Sequence, residues 1–484
     1  MRRTILKTAL FAGAAAIAVP AAANPDTLQE ALVSTYQNNP TLLGARAQQR
    51  ALDEGVPLAR ADGLPSVNAT AQYIEFLKQS SNNFTAPARQ VGSNIDLSVP
   101  IYSGGAVKNG LRAAKTRVEA GQADLRGTEA SIFSQAVGAY MDVIRDQAIV
   151  RLSGSNVRVL EVNLKAASDR FEIGDLTRTD VAQSNSRLAL ARGDYRTAQA
   201  NLIASRERYI QIVGKPPVDL QPPPPLPGFP ASVEEAEDVA LADNPDLLAA
   251  KQRSKAAGYD IDVAGAGRLP KLSVFSGGAY SNFLNTLGGS AGGGFAFAQT
   301  QTTAQAGVRA SIPIFQGGRP AAQQRRAQAT AAATYENEVA VERDVIAQVR
   351  SAWSSYQAAT SIIATNQVAV DASSLSLEGV RAENTVGNRT ILNILDAEQE
   401  VLRAQVQLVT AQRNAYVAGF SLLAAMGRAE ANKLGLEAGP LYDPEVNYRR
   451  IKGKIWDWAK DPDPKAQATR TVDTPPQDAS IPPQ

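Results

Sequence analysis

The chain has 484 residues, 44% of them hydrophobic and 20% charged, with 49 basic and 47 acidic side chains and neither cysteine nor histidine. Without cysteine there is no disulfide framework, thiolate metal site or cysteine nucleophile, and without histidine the commonest metal ligand and general base are missing. The formal net charge of +2 gives no indication of nucleic-acid binding. Carboxylate-only catalysis stays open, but no pattern gathers acidic residues into a site, so we expect neither an enzyme nor a cofactor.

Residues 1–23 have the pattern of a secretory signal peptide. Basic residues precede a short apolar run, and Ala21 and Ala23 fit an A-x-A cleavage site. We expect cleavage after Ala23, which leaves a mature chain that begins at Asn24 with 46 basic and 47 acidic residues. No later stretch approaches about 18 uninterrupted apolar residues, so the sequence predicts an exported protein that could enter a membrane only through β-strands.

The rest of the chain contains an internal duplication. Asn39-Pro40 recurs 205 residues later as Asn244-Pro245, and PIYSGG at 100–105 recurs 213 residues later as PIFQGG. The eight extra residues of the second copy fall in a Gly-rich stretch, 288–294, which predicts a lengthened loop. The expected units are a first repeat (24–215), a stiff Pro-rich linker (216–230), a second repeat (231–428), an equatorial C-terminal segment (429–460) and a disordered tail (461–484).

Each copy begins with a helical pattern and continues with a β-hairpin. Helical spacing over 27–62 gives way to period-two alternation at 67–76 and 95–101, and again at 272–280 and 306–314 in the second copy. The apolar set should face lipid and the polar set should face a wet lumen. The polar side chains assigned to the lumen are Ser93, Arg309 and Ser311. Aromatic side chains near the strand ends are typical of an interfacial girdle: Tyr73, Phe76, Tyr102, Tyr280, Phe283 and Phe315.

A seven-residue spacing follows each Gly-Gly pair. In the first copy it runs from Leu111 to Phe171, with a four-residue stutter, and returns from Val181 to Tyr209. The pattern predicts a helix on the order of 100 Å long, a tight turn at Gly174 and a return helix, with the same plan around Gly387. Heptads in isolation indicate a solvated antiparallel coiled coil. Four strands cannot close a barrel, for which about eight are needed, so a membrane role requires several chains to share one.

The strand-and-helix plan, the Pro-Ile-x-x-Gly-Gly junctions and VGNRTILNILD at 386–396 resemble the TolC family of outer-membrane efflux and type I secretion proteins over about 24–428. The resemblance implies a mixed α and β membrane protein. Its homotrimer would form a 12-stranded barrel in the outer membrane of a Gram-negative bacterium, continuous with a long periplasmic α-helical barrel. It also implies an exit duct that an adaptor couples to an inner-membrane transporter, driven by ATP or by protons.

The cargo implied is protein, by type I secretion, or small toxic compounds, or both. The absence of a cysteine for lipidation favours the branch that also serves type I secretion. The outer-membrane component of a proton-driven multidrug pump is the alternative. A periplasmic coiled-coil adaptor is a weaker one, because it has no use for four amphipathic strands.

The resemblance also assigns residues to two sites. The helix tips that would dock the adaptor are Ile173, Gly174, Asp175 and Leu176 in copy one and Val386, Gly387 and Asn388 in copy two. The periplasmic aperture would comprise Thr179, Asp180, Arg389, Asn393 and Asp396. The alternative is that the glycines only form turns and that the charged residues are solvated surface groups.

Within the aperture, Arg389 matches the family's constricting arginine, and Thr179 and Asp180 match its partners in a neighbouring helical hairpin. Asn393 takes one of two positions at which the family carries pore-facing aspartates, and Asp396 keeps the other. Three chains would then form one ring of three carboxylates, which favours cations. Asn384 stands where the family can have tyrosine.

Overall fold

The computed structural model describes residues 26–79, 86–288, 297–436 and 439–481. The expected signal peptide and nearly all of the expected lengthened loop lie outside the described residues. Within them, no helix combines the length and the hydropathy that crossing a membrane requires. In chain order the elements are α1 (Leu28–Asn38), α2 (Pro40–Asp53), α3 (Gly55–Ala61), β1 (Ser66–Glu75), β2 (Arg89–Tyr102), α4 (Ala106–Glu172), α5 (Arg178–Val213), α6 (Val233–Asp243), α7 (Pro245–Gly265), β3 (Lys271–Asn282), β4 (Thr300–Ser311), α8 (Arg319–Thr385), α9 (Ile391–Ala425) and α10 (Pro444–Ile451).

The element order confirms the predicted internal repeat. Short helices, a β-hairpin, a 67-residue helix and a return helix of about half that length occur twice. α4 pairs with α5 and α8 pairs with α9, and α7 packs against both long helices. The two helical hairpins therefore form one continuous body, with the β-sheet at one end and the turns after α4 and α8 at the other.

The repeated Asn-Pro dipeptides lock the short helices to the ends of the return helices. The Asn39 side chain caps α2 through the amides of its first turn and donates to the carbonyl of Ile212 (2.9 Å). Asn244 does the same for α7 and donates to the carbonyl of Ala425 (2.8 Å). Both asparagines are buried, so each cap also satisfies a carbonyl at the end of α5 or α9.

The four strands form one antiparallel sheet in the order β1-β2-β3-β4. Both predicted hairpins are confirmed, and β2 and β3 join them into a single sheet. β4 ends at Ser311, so Ile312 and Ile314, which were expected to continue the strand, lie beyond it. The outer edges of β1 and β4 have no partner strand within the described chain.

The register sorts the side chains into an apolar and a polar face. Arg309 and Ser311 lie on the polar face, as expected, with the guanidinium of Arg309 4.8 Å from the centre of the Phe275 ring. The expectation for Ser93 was wrong. It pairs with Ala71 and Tyr280 on the apolar face, because residues two apart in a strand share a face and Ser93 is two residues before Ile95.

Part of the C-terminal tail, which begins at residue 461, contacts the helical body. Disorder was expected from residue 461, but Arg206 on α5 donates to the carbonyls of Asp478 (2.6 Å) and Ser480 (2.8 Å). The expectation is wrong for these residues. The nearly buried guanidinium of Arg206 takes its acceptors from the tail and thereby holds it against the helix.

Candidate functional site

The two helix tips share one turn geometry. Gly174 and Gly387 have φ angles of 82° and 81°. In the first tip the amide of Asp175 donates to the carbonyl of Arg170 (2.9 Å), and in the second the amide of Asn388 donates to that of Glu383 (2.9 Å). A β-carbon added at either glycine would meet no atom within 4 Å. The glycines are therefore required by the left-handed backbone of the helix cap and not by close packing.

Apolar side chains stand exposed beside these turns. Ile173 is 80% exposed and Val386 is 71% exposed, and they occupy corresponding positions in the two repeats. The other expected tip residues of the first repeat, Asp175 and Leu176, lie in the same turn. The Asp175 carboxylate accepts from Nε of Arg170 (2.7 Å). The structure thus brings the seven expected tip residues to one end of the two hairpins.

Two of the expected aperture residues form capping boxes. In the first repeat, one Asp180 carboxylate oxygen accepts from the amide (2.9 Å) and hydroxyl (2.7 Å) of Thr177. In the second repeat, the Asn393 side-chain oxygen accepts from the amide (3.1 Å) and hydroxyl (2.9 Å) of Thr390. The hydrogen bonds from Thr177 lower the pKa of Asp180 below its usual value. These caps were not predicted, although T-x-x-D and T-x-x-N at the start of a helix are their signal in the sequence.

The expected pair of Arg389 with Asp180 is not formed within the described chain. Arg389 instead donates from Nε to the Glu383 carboxylate in its own hairpin (2.6 Å). The backbone carbonyl of Arg389 accepts from the side-chain amide of Asn384 (2.7 Å). The turn brings Arg389 close to Glu383, because the amide of the preceding residue, Asn388, donates to the carbonyl of Glu383. The Asp180 carboxylate is already engaged by Thr177. Thr179 is exposed beside it.

Asp396 takes part in a contact between the two hairpins that the sequence did not suggest. Arg187 on α5 pairs with Asp396 on α9 and donates to the Gln399 amide oxygen (2.6 Å). Nearby, the buried carboxylate of Glu398 accepts from Arg381 (2.9 Å) and Asn163 (3.0 Å). These polar contacts join α4, α5, α8 and α9 just behind the tips. No short motif in the sequence marks these contacts. The partners of Asp396 and Glu398 on the first hairpin lie more than 200 residues away along the chain, and only Arg381 is near its partner.

The family model for outer membrane efflux proteins matches residues 31–215 and 238–428. The chain belongs to this family. Its members are channel proteins, and the protein is an outer-membrane protein that extends into the periplasm.

Individual relatives agree with this assignment. The chain is 34% identical to the outer membrane efflux protein BepC of Brucella suis over 96% of this chain and 100% of that protein. It is 25% identical to the alkaline protease secretion protein AprF of Pseudomonas aeruginosa over 67% of each. The crystal structure of the Campylobacter jejuni CmeC outer membrane channel superposes with a TM-score of 0.72 at 16% identity, covering 88% of this chain and 89% of that one. This likeness shows the fold.

Proposed function

We propose that three copies of the chain form an exit duct that carries cargo from an inner-membrane transporter to the cell exterior. The observation that carries the proposal is the sheet, which has one apolar face, one polar face and two open edges. Unpaired strand edges are costly in lipid, so a four-stranded sheet needs further copies beside it to close. Three copies supply 12 strands, and the polar face then lines the lumen.

The cargo and the transporter are inferred from relatives. One relative is named for protein secretion and another for efflux, so we propose proteins by type I secretion, small toxic compounds, or both. An ABC transporter with a periplasmic adaptor is the favoured partner pair. Service to a proton-driven multidrug pump is the second candidate.

We further propose that the exposed tip residues dock the adaptor and that the polar residues behind them close the duct. Ile173 and Val386 offer apolar contact at the end of each hairpin, where a partner helix can reach them. Arg187 with Asp396 joins the two hairpins near the tips, and Arg389 with Glu383 joins the end of α8 to the turn that follows it. Each pair is partly exposed and stabilises by about 0–1 kcal/mol, but threefold symmetry requires several to break together before the duct opens.

Chemical cross-linking of the detergent-extracted protein tests the assembly. We expect a trimer whose gel mobility changes on heating, because strands shared between chains must separate. A soluble monomeric species in the periplasm would contradict the duct and favour a coiled-coil spacer.

A further inference from the structure

A loop beyond the region that the family model matches carries an exposed apolar tip. Residues 452–460 follow α10, and every one of them is exposed. Within this loop Ile455 is 69%, Trp456 72% and Trp458 85% exposed. The chain has three tryptophans, and the third, Trp353, packs against a buried cluster between α8 and α6. Two exposed tryptophans on one short loop indicate an interaction site, because exposed apolar patches mark such sites.

The loop is closed at its base and is not collapsed onto the body. The guanidinium of Arg450 binds both carboxylate oxygens of Asp461 (2.7 Å each), and Lys454 approaches the same carboxylate (3.6 Å). Within the loop the amide of Ala459 donates to the carbonyl of Trp456 (3.1 Å). The hydrogen bonds from Arg450 lower the pKa of Asp461 to about 2, so the clasp stays charged at neutral pH. The clasp therefore closes the base of the loop.

The base of the loop lies at the junction between the helices and the strands. Arg60 on α3 donates to the carbonyl of Lys452 (3.0 Å), and α3 ends five residues before β1 begins. Tyr448 on α10 packs against the buried cluster of Val56 in α3 with Ala114 and Val118 near the start of α4. Four residues separate Lys452 from Trp456 and span at most about 13 Å, so the tip stays near the strand ends. Tyr102, an exposed aromatic residue, lies at the same end of β2.

The loop carries a small excess of positive charge. Residues 452–461 contain three basic and two acidic side chains, and Asp461 is paired with Arg450 and Lys454. Lys452 and Lys460 make no ion pair with any described residue, and the ammonium of Lys452 lies 5.7 Å from the centre of the Tyr448 ring. Tryptophans flanked by lysines are typical of segments at a membrane–water interface that binds anionic lipid headgroups.

We propose that the loop 452–460 is an interfacial anchor that inserts Ile455, Trp456 and Trp458 into the periplasmic leaflet of the outer membrane, with its lysines on anionic phospholipid headgroups. The proposal rests on the outer-membrane placement of the sheet and deepens it. Insertion of three such loops, one per chain, would fix the height of the helical body against the membrane. It would also provide an anchor without a lipidated cysteine.

Tryptophan fluorescence of the full-length protein in brominated lipid tests the anchor. The protein is reconstituted into vesicles of phosphatidylcholine brominated near the top of its acyl chains, with a minor fraction of phosphatidylglycerol. Bromine quenches only tryptophans that contact it. We expect the wild type to lose roughly half or more of its emission relative to unbrominated vesicles, because two of its three tryptophans would lie at the interface. The Trp456→Phe/Trp458→Phe variant, whose emission comes from Trp353, should lose almost none.

The same vesicles are fused to a planar bilayer to record conductance. This recording distinguishes failure of the anchor proposal from failure of the duct proposal. Channels that conduct while wild-type and variant emission are equally unquenched would overturn the anchor and leave the duct intact. Wild-type emission that is blue-shifted but unquenched would also overturn it, because the loop would then be covered by a neighbouring chain. Replacing phosphatidylglycerol with phosphatidylcholine should reduce the quenching, and unchanged quenching would overturn the headgroup part of the proposal.

Discussion

The two 67-residue helices α4 and α8 hold corresponding places in the repeat, yet they are buried very differently within one chain. Twenty-two residues of α4 are buried, against four of α8. The N-terminal helices α1, α2 and α3 pack on α4, and α7 packs between α4 and α8, which leaves the far side of α8 without cover. The same architecture thus produces one helix that builds the core of the chain and one that has most of its surface free.

The free surface of α8 is not polar throughout. Three large apolar side chains stand exposed on one side of it: Val339, Val368 and Leu375. Exposed apolar stripes on a long helix indicate a helix partner. Repeat one thus contains most of the buried residues of the two long helices, and we expect repeat two to provide the surface on which the next chain packs.

The largest expected effect comes from charging this stripe. In a Val368→Glu/Leu375→Glu variant, both carboxylates would lie in the contact between chains, and an unpaired buried charge costs several kcal/mol. We expect loss of the trimer in cross-linking and loss of export, with far-UV circular dichroism unchanged, since both side chains are exposed in the single chain. The control is Val472→Glu on the exposed tail, which should assemble normally. A stable trimer of the double variant would place the contact elsewhere.

The two tips, unlike the two long helices, are nearly identical, so they test whether the repeats act alike. An Ile173→Glu/Val386→Glu variant removes apolar contact at both tips without breaking any internal packing. We expect export to fall to near background while the trimer assembles, as measured by secreted cargo and cross-linking. Bulky β-branched residues at Gly174 and Gly387 should have the same effect, whereas asparagine, which tolerates the left-handed conformation, should preserve the turns. Normal export from both the glutamate and the β-branched variants would reduce the tips to turn formers.

The aperture residues show where the repeats differ, since the third residue of the return helix is Asp180 in one copy and Asn393 in the other. Because Asp180 also caps its helix, Asp180→Asn is the matched change that removes charge and keeps an acceptor for Thr177. Combining it with Arg389→Ser and Arg187→Gln should raise single-channel conductance several-fold, because the pair between the hairpins (Arg187–Asp396) and the pair within the second hairpin (Arg389–Glu383) are both lost. Asp396→Asn alone should lower the preference for cations. Unchanged conductance and selectivity in these variants would move the gate elsewhere.

The smallest effect concerns one position that the repeats bury unequally. Glu129 on α4 is partly buried and accepts from the amide of Ala431 (2.6 Å), while Glu342, at the same place in α8, is exposed. Burial raises the pKa of Glu129 above its usual value near 4.5. The protonated form is therefore favoured in the folded state, and this stabilisation is present below the usual pKa and is lost as the pH rises through the raised one.

Glu129→Gln should accordingly raise the melting temperature at pH 7 by about 1–2 °C and leave it unchanged near pH 4. Glutamine keeps an oxygen for the Ala431 amide and never ionises. Glu342→Gln is the control and should change nothing. Calorimetry at the two pH values checks this, and equal melting temperatures of wild type and Glu129→Gln at pH 7 would contradict the burial argument.

The repeat, the hairpins and the tip turns could be predicted because period two, period seven and a glycine at a left-handed turn are all local patterns. Contacts between distant segments could not. No pattern near Arg187 predicts its ion pair with Asp396, and no pattern near Arg206 predicts its hydrogen bonds to the tail. The placement of Ser93 on the polar face was an error of a different kind, since the alternation around Ile95 already assigned it to the apolar face.

We expect a pore only when several chains share the sheet, and planar-bilayer recording on size-separated protein tests this. The detergent-purified protein is separated into trimer and monomer, and each fraction is added to a bilayer at equal chain concentration. The trimer should give uniform conductance steps and the monomer none, because a lone four-stranded sheet leaves the edges of β1 and β4 unpaired in lipid. A monomer that inserts and conducts while remaining monomeric would show that one chain is sufficient for a pore.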